Sequence, residues 1–433
     1  MSARSDGGET RGRRLLLLCT TTGYQTRAFA EAAAGLGVEV VFGTDRCKVL
    51  EDPWGDGALA LRFEDARWSA GVIVDYARAN PLDGVVAVGD RPTPTAAWAC
   101  RALGFLHNSP EAAEACRDKY QSRERLRAAG LRVPAFTRFQ VDDDPRAIAR
   151  EVEFPCVLKP LALSASRGVI RADTREEFVA AFERIRALLR SRNVQVLREE
   201  TSNFIQVERF IPGREVALEG LLERGRLKVL ALFDKPDPLD GPFFEETIYV
   251  TPSRLAPATQ EEIVAAVGQA CKALGLSHGP LHAELRLNRE GPWVLEVAAR
   301  SIGGLCARAL RFEGGTSLEE LIIRQALGED VSESAREGAA AGVMMIPIAQ
   351  AGIYEGVEGV QAAEETPGVE EVIITAKAEQ KLVPLPEGAS YLGFIFARAA
   401  SPELVESALR AAHAKLRFRV RTELPVISSQ SAG

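Results

Sequence analysis

The chain has 433 residues and is short of histidine, with four, and of methionine and tryptophan, with three and four. Only His278 and His282 lie close together, and Gly279-Pro280 between them breaks any shared helical face, which argues against a histidine-built zinc centre. Cysteine is sparse as well: Cys19, Cys47, Cys100, Cys116, Cys156, Cys271 and Cys306 are odd in number, scattered and without a Cys-x-x-Cys pair. That pattern excludes a disulfide framework and a zinc ribbon and suits a reducing cytoplasm. Basic charge is not in excess. Lys and Arg number 53 against 60 Asp and Glu, a net charge of -7, so a generally basic nucleic-acid binder is excluded. Long apolar runs are missing too. Leu15 to Leu18 follows Arg4, Arg11, Arg13 and Arg14 but falls short of the about 7 to 15 apolar residues of a secretory signal, and nothing reaches the about 20 of a membrane span. The expectation is a soluble cytoplasmic protein with neither nucleic acid nor membrane as partner.

What is present, 46% hydrophobic and 26% charged residues, is the composition of an ordinary globular chain long enough for several packed units. Residues 1–12 are small, polar and Arg-bearing and read as a tail. Leu15 to Cys19, Val38 to Phe42 and Gly84 to Val88 are short apolar runs, with helix-like stretches over Tyr24 to Gly35, Ser69 to Asn80 and Thr93 to Leu103. That alternation predicts an open parallel sheet. Gly35-Leu36-Gly37 follows a helix and lacks a third glycine, so it reads as a helix cap and not a dinucleotide fingerprint. A helix over Asp118 to Gly130 leads into a mixture that suggests α+β. Strands are expected at Cys156 to Lys159, Phe204 to Phe210, Glu215 to Leu222, Leu227 to Phe233, His282 to Leu287 and Trp293 to Val297, with helices over Arg175 to Leu189 and Gln260 to Leu274. Ser332 to Ala340 reads as a linker into a last unit with a strand over Gly388 to Phe394 and a helix over Pro402 to Leu416.

Three segments carry residue types suited to one chemistry. The loop from Lys159 to Val169 is built of small and hydroxylic residues. Its backbone amides, the Ser164 and Ser166 hydroxyls and the Lys159 ammonium are what phosphate oxygens need. It lacks the Walker spacing, and standing alone it fits a surface turn equally well. Glu208-Arg209-Phe210-Ile211-Pro212-Gly213-Arg214-Glu215 sets an apolar slot between two acids, sized for an adenine and a ribose diol, or for a solvated hairpin. Glu284 and Glu296 each sit inside an apolar strand, where an unpaired carboxylate is costly to bury. Neighbouring strands would aim both at one point, and magnesium there would neutralise them; two outward-facing acids are the plain alternative. His282-Ala283-Glu284 has no Pro-Cys-x-x-Cys partner, which rejects a deaminase, and Cys306 has no activating base near it in sequence.

The order Asp118-Lys119, Val157-Leu158-Lys159-Pro160, the Ser164 to Val169 loop, Glu208 with Glu215, Glu284, Glu296 and Arg300 resembles the ATP-grasp superfamily over nearly the whole chain. Glu246 to Ser253, Glu296 to Gly304 and Tyr391 to Ala397 are similar to its L-amino-acid ligase, or dipeptide synthetase, branch. The resemblance implies a fold of class α/β and α+β. Its parts would be an N-terminal parallel α/β domain (13–110), a linker helix and first ATP-grasp subdomain with the phosphate loop (111–215), a second subdomain with the metal site (216–331), and a lid-like α+β C-terminal domain with a tail (332–433). It implies ATP held by Lys119, Lys159, Ser164, Ser166, Gly168, Glu208, Phe210, Ile211 and Glu215. Magnesium, with manganese as a substitute, would sit on Glu284 and Glu296. Arg300 and Lys159 would be catalytic, and Glu246, Arg300, Gly303 and Gly304 would meet the substrate.

The resemblance departs at Ala298, where many members have a metal-binding Asn and the dipeptide-forming relatives share a small residue, so the number of metal ions stays open. The implied reaction joins a small-molecule carboxylate to an amine through an acyl phosphate, with release of ADP and phosphate, in a homodimer. Two other readings stand beside it: an ATP-grasp enzyme with another acceptor, by carboxylation or onto a thiol or hydroxyl, and a non-catalytic nucleotide sensor.

Overall fold

The computed structural model describes residues 12–20, 24–45, 57–161 and 163–422. The expected tail apart from Gly12, together with Cys47, Ala162 and the chain from 423 onward, lies outside the described residues. The first unit runs β1 (Arg14–Cys19), α1 (Tyr24–Gly35), β2 (Glu39–Thr44), β3 (Ala58–Ala60), α2 (Ala66–Ala79), β4 (Gly84–Val88) and α3 (Thr93–Leu103). Its strands are parallel in the order β3-β2-β1-β4. Leu15, Leu16, Leu17 and Leu18 are all fully buried, which is why β1 reads as a continuous apolar run: a strand covered on both faces has no polar side to show. With β2 on one flank of β1 and β4 on the other, a crevice opens at the carboxyl ends of β1 and β4, the place where such sheets bind ligands. The segment Gly89-Asp90-Arg91 follows β4 there.

Two helices then turn the chain, α4 (Pro110–Arg117) and α5 (Lys119–Ala128). Asp118 caps α5 by accepting the Tyr120 and Gln121 N–H groups, and this cap sets Lys119 at the first turn of the helix. β5 (Phe136–Gln140), β6 (Cys156–Pro160), β7 (Ile170–Ala172) and β8 (Phe204–Arg209) make an antiparallel sheet in the order β5-β8-β6-β7. The helix Arg175–Leu189 buries Phe178, Phe182 and Ile185 against it.

The largest sheet has eight antiparallel strands. It runs β13 (Gly291–Ala298), β12 (Gly279–Asn288), β9 (Arg214–Glu223), β10 (Arg226–Asp234) and β11 (Ile248–Thr251), then Ala340–Ile346, Gly393–Ala399 and Val369–Ile374. One sheet thus passes unbroken from the strands bearing the expected metal acids into the C-terminal segment. The strand expected from Gly388 begins only at Gly393. Residues 384–388 turn instead, with the Gly388 N–H donating to the Pro384 carbonyl at 2.9 Å, and any Cβ on Gly388 would lie 1.8 Å from the Val383 carbonyl oxygen. That turn docks on the loop from Ser164 to Val169: the Gly168 N–H donates to the Pro386 carbonyl at 2.8 Å and Arg167 Nε to the Glu387 carbonyl at 2.8 Å. The six described cysteines are buried, and no helix among the described residues is long and apolar enough to cross a membrane.

Candidate functional site

Alternation along β12 decides what faces the site. His282, Glu284 and Arg286 point one way, while Ala283 and Leu285 enter an apolar core with Val216 and Leu218 of β9. The register partners of the polar three on β9 are Glu219, Ala217 and Glu215. His282 Nδ1 lies 3.0 Å from Glu219, and Arg286 Nε lies 3.2 Å from Glu215. Glu284, set opposite the small Ala217, has Glu296 of β13 as its partner on the other flank.

Lys235, directly after β10, fills the middle of this face. Its Nζ is 2.8 Å from Glu215 and 3.3 Å from Glu284 and contacts Glu246, which also accepts the Tyr249 hydroxyl at 2.8 Å. Oxygens of Glu215, Glu246 and Glu284 all lie within 4.8 Å of one another. Arg286 shares Glu215 and His282 Nε2 lies 3.4 Å from Glu284, which leaves Glu246 to Lys235. Burial and the charges of Glu284 and Glu215 push Glu246 up to about 7 against the pull of Lys235. Burial opposes the charge on Glu284 as well, yet Lys235 and His282 hold it well below its ordinary value. Burial favours a neutral His282, but Glu219 and Glu284 outweigh it and raise the ring to about 9.

A second cluster forms on the smaller sheet. Lys159 stands opposite Gln206 on β8, and Glu208, two residues on, shares that face. Glu208 accepts Lys159 Nζ at 2.6 Å, Arg123 Nε at 2.7 Å and Gln206 Nε2 at 2.6 Å, and is only 3% exposed. Burial works against its charge, but Arg123 and Lys159 outweigh it and lower Glu208 to about 2. For Lys159 the balance reverses: burial, helped by Arg123 and Lys119, lowers its pKa although Glu208 favours the ammonium. Lys119 Nζ donates to the Leu163 carbonyl at 2.9 Å and lies 3.6 Å from Glu296. Phe210 and Ile211 are buried, and Arg286 Nη1 ties the Ile211 carbonyl at 2.9 Å, joining this hinge to the carboxylate cluster. In the loop expected to hold phosphate, Ser164 is exposed, Ser166 half-buried and Gly168 buried.

The third element is Arg300, whose guanidinium grips the Asp90 carboxylate of the N-terminal unit at 2.9 and 3.1 Å. Just beyond it, Gly303 has open space where a Cβ would stand, whereas a Cβ on Gly304 would come within 3.2 Å of Phe394.

The fold therefore brings Lys159 to Glu208, Lys119 to the loop and to Glu296, and Glu284 to Glu215 and Glu246. Lys235, Arg123, Arg286, Glu219, His282 and Asp90 belong to these clusters and were not among the expected site residues. Glu219 had a readable signal, an acid inside an apolar strand like Glu284. Lys235 and Asp90 had none, since each follows a strand as any loop residue does. Carboxylate oxygens are the donor set magnesium takes, and the lysines around a small-residue loop suit phosphate oxygens, so these residues fit an ATP–magnesium pair.

Comparison with known proteins agrees. An ATP-grasp domain model matches residues 152–309, an ATP-grasp N-terminal domain model residues 30–105, and a model of L-amino acid ligase C-terminal domain 2 residues 344–421. Alanine–anticapsin ligase of Bacillus subtilis is 29% identical over 265 residues, 58% of this chain and 55% of the relative, so the chain spans about half that relative's length. The crystal structure of L-amino acid ligase from Bacillus licheniformis matches with a TM-score of 0.78 at 28% identity, covering 95% of this chain and 100% of that one. The biotin carboxylase domain of Hydrogenobacter thermophilus 2-oxoglutarate carboxylase, in complex with MgADP and bicarbonate, shares the fold at 0.66 and 18% identity, over 94% of this chain and 91% of that one. Taken together, these matches show that the chain carries an ATP-grasp domain over residues 152–309 and the C-terminal domain of L-amino acid ligases over residues 344–421.

Proposed function

We propose that this ATP-dependent ligase joins an amino acid, or a similar small carboxylate, to an amine, with a second amino acid as the fitting acceptor. The observation that carries the reading is that Glu246, an acid able to receive a substrate ammonium, has an oxygen within 4.8 Å of one on Glu284. An amine-binding group thus stands beside a metal-type acid, where activation and capture must meet.

Phe210 and Ile211 would frame the adenine with Glu208 at its edge, and Glu215 would take the ribose hydroxyls. Lys119, Lys159, Ser164, Ser166 and Gly168 would hold phosphate oxygens. Glu284 and Glu296 would hold magnesium, which when bound neutralises charge on the phosphates. A substrate carboxylate oxygen attacks the γ-phosphorus, the bridging P–O bond breaks, and ADP leaves an acyl phosphate behind. The amine nitrogen then attacks the acyl carbon; a C–N bond forms, the C–O bond to phosphate breaks, and the amine proton is released. Arg300 and Lys159 answer the charge on the transferring group, so the chain contributes position and charge and no nucleophile of its own. The loop docked on Pro386 and Glu387 would keep water from the acyl phosphate. The reading carries a cytoplasmic setting and a homodimer, the latter checked by light scattering.

The test is phosphate release from Mg-ATP with and without pooled L-amino acids, with mass analysis of any new amide. Amino-acid-stimulated release with a dipeptide product supports the proposal. Stimulation by bicarbonate alone, or an undiminished rate in Glu296→Ala, would sink the acceptor class or the metal assignment respectively.

A further inference from the structure

Arg300 belongs to the segment after β13, but its guanidinium is held from another domain. Nε donates to one Asp90 oxygen at 2.9 Å and Nη2 to the other at 3.1 Å, while Nη1 donates to the Ser301 carbonyl at 3.0 Å. These bonds leave one N–H on each terminal nitrogen, a matched pair on a planar group that a two-point clamp has stopped from rotating. Asp90 lies in the loop after β4, at the crevice where the N-terminal sheet reverses its strand order. The backbone after Arg300 is fastened separately: the Ile302 N–H donates to Glu219 at 3.0 and 3.1 Å, and the Ile302 carbonyl accepts Gln25 Nε2 at 3.0 Å. Losing Asp90 would therefore leave the guanidinium on the single Ser301 bond, able to turn about it, without freeing the segment that carries it.

We propose that Asp90 is a positioning residue for the ligation step, fixing the plane of the Arg300 guanidinium so that its two remaining N–H groups present one geometry to the reacting oxyanions. The inference rests on the reading of Arg300 as the group at the transferring phosphate and the substrate carboxylate. It gives the N-terminal domain a part in catalysis, orienting the arginine from the far side of the cleft. A displacement of about 1 Å at such a group is worth roughly a hundredfold in rate.

The experiment compares wild type, Asp90→Ala, Asp90→Asn, Arg300→Ala, Arg300→Lys and Asp90→Ala/Arg300→Lys in amino-acid-dependent phosphate release. Affinity for MgADP and melting temperature are measured on each. Asp90→Ala is expected to lower kcat by roughly 10- to 100-fold while MgADP affinity stays within about twofold. Asp90→Asn, which keeps one acceptor oxygen, falls between. In the Arg300→Lys background, where no two-point clamp exists, adding Asp90→Ala should change little, because groups that act through one contact are not additive. An inactive Arg300→Ala beside a fully active Asp90→Ala overturns the proposal, as does an Asp90→Ala effect that persists undiminished in Arg300→Lys or that appears only as lost MgADP binding. Wild-type turnover in Arg300→Ala would instead remove the premise, a result distinct from either.

Discussion

The Glu219 carboxylate, with no exposed surface, lies 3.0 Å from His282 Nδ1 on one side and accepts the Ile302 N–H at 3.0 and 3.1 Å on the other. One buried acid thereby ties the strand bearing Glu284 to the segment bearing Arg300. Replacing it by alanine would strand two polar groups, at about 1–3 kcal/mol each. The urea midpoint of Glu219→Ala should drop at constant m-value, with Glu219→Gln losing less because it keeps an acceptor; a midpoint equal to wild type would mean the tie carries no weight.

Lys235 is the one ammonium among three carboxylates, so Lys235→Met should cost on the order of 3–5 kcal/mol, as expected when one partner of a buried charge cluster is removed. Magnesium alone should then raise the melting temperature of the variant more than that of wild type, since it would replace the missing charge. Equal responses would count against these acids as a cation site.

Two groups, His107 and Glu208, should each lose stability as pH falls, in windows that meet just above pH 4. Burial lowers His107 from 6.5 to about 4, so proton uptake favours the unfolded chain from pH 6.5 downward, and the stability present above 6.5 is lost by about pH 4. Glu208, lowered from 4.5 to about 2 once Arg123 and Lys159 overcome its burial, adds stability that is present above 4.5 and disappears as pH falls towards 2. Glu246, raised from 4.5 to about 7, gains stability as pH falls through that range and opposes the His107 loss, so the unfolding free energy is compared between wild type and His107→Gln from about pH 7.5 down. His107→Gln is expected to lack the loss between pH 6.5 and 4 and to keep the lower one, and a variant with the wild-type profile would contradict the first assignment.

Gly168 has φ 73°, and a Cβ there would lie 2.8 Å from Pro160 Cγ and 3.0 Å from Leu188 Cδ2. Left-handed backbone at a non-glycine residue costs on the order of 1–3 kcal/mol. Gly168→Ala should therefore shift the docked loop and raise KM for ATP by about tenfold or more. An unchanged KM would remove the loop from the nucleotide site.

The strands and helices of the first unit were legible because Leu15 to Leu18 and Gly84 to Val88 could be buried on both faces only in a parallel sheet, and that constraint is written in local composition. The acids of β12 and β13 were legible for a related reason, since a carboxylate inside an apolar strand must find a partner. The expected strand at Gly388 failed because Pro384 and Pro386 impose a turn that the apolar residues after them disguise. The partners themselves were decided by tertiary structure. Asp90 meets Arg300 across 210 positions of chain and Arg123 meets Glu208 across 85, distances over which residue type carries no pairing information. Lys235 sits among Glu215, Glu246 and Glu284 because three separate stretches of chain converge there, the first and last on paired strands. The sequence by itself determined which groups needed company, through the cost of burying charge and the period of two along a strand. Only the tertiary structure decided which company they keep, because strand register and domain docking set those distances.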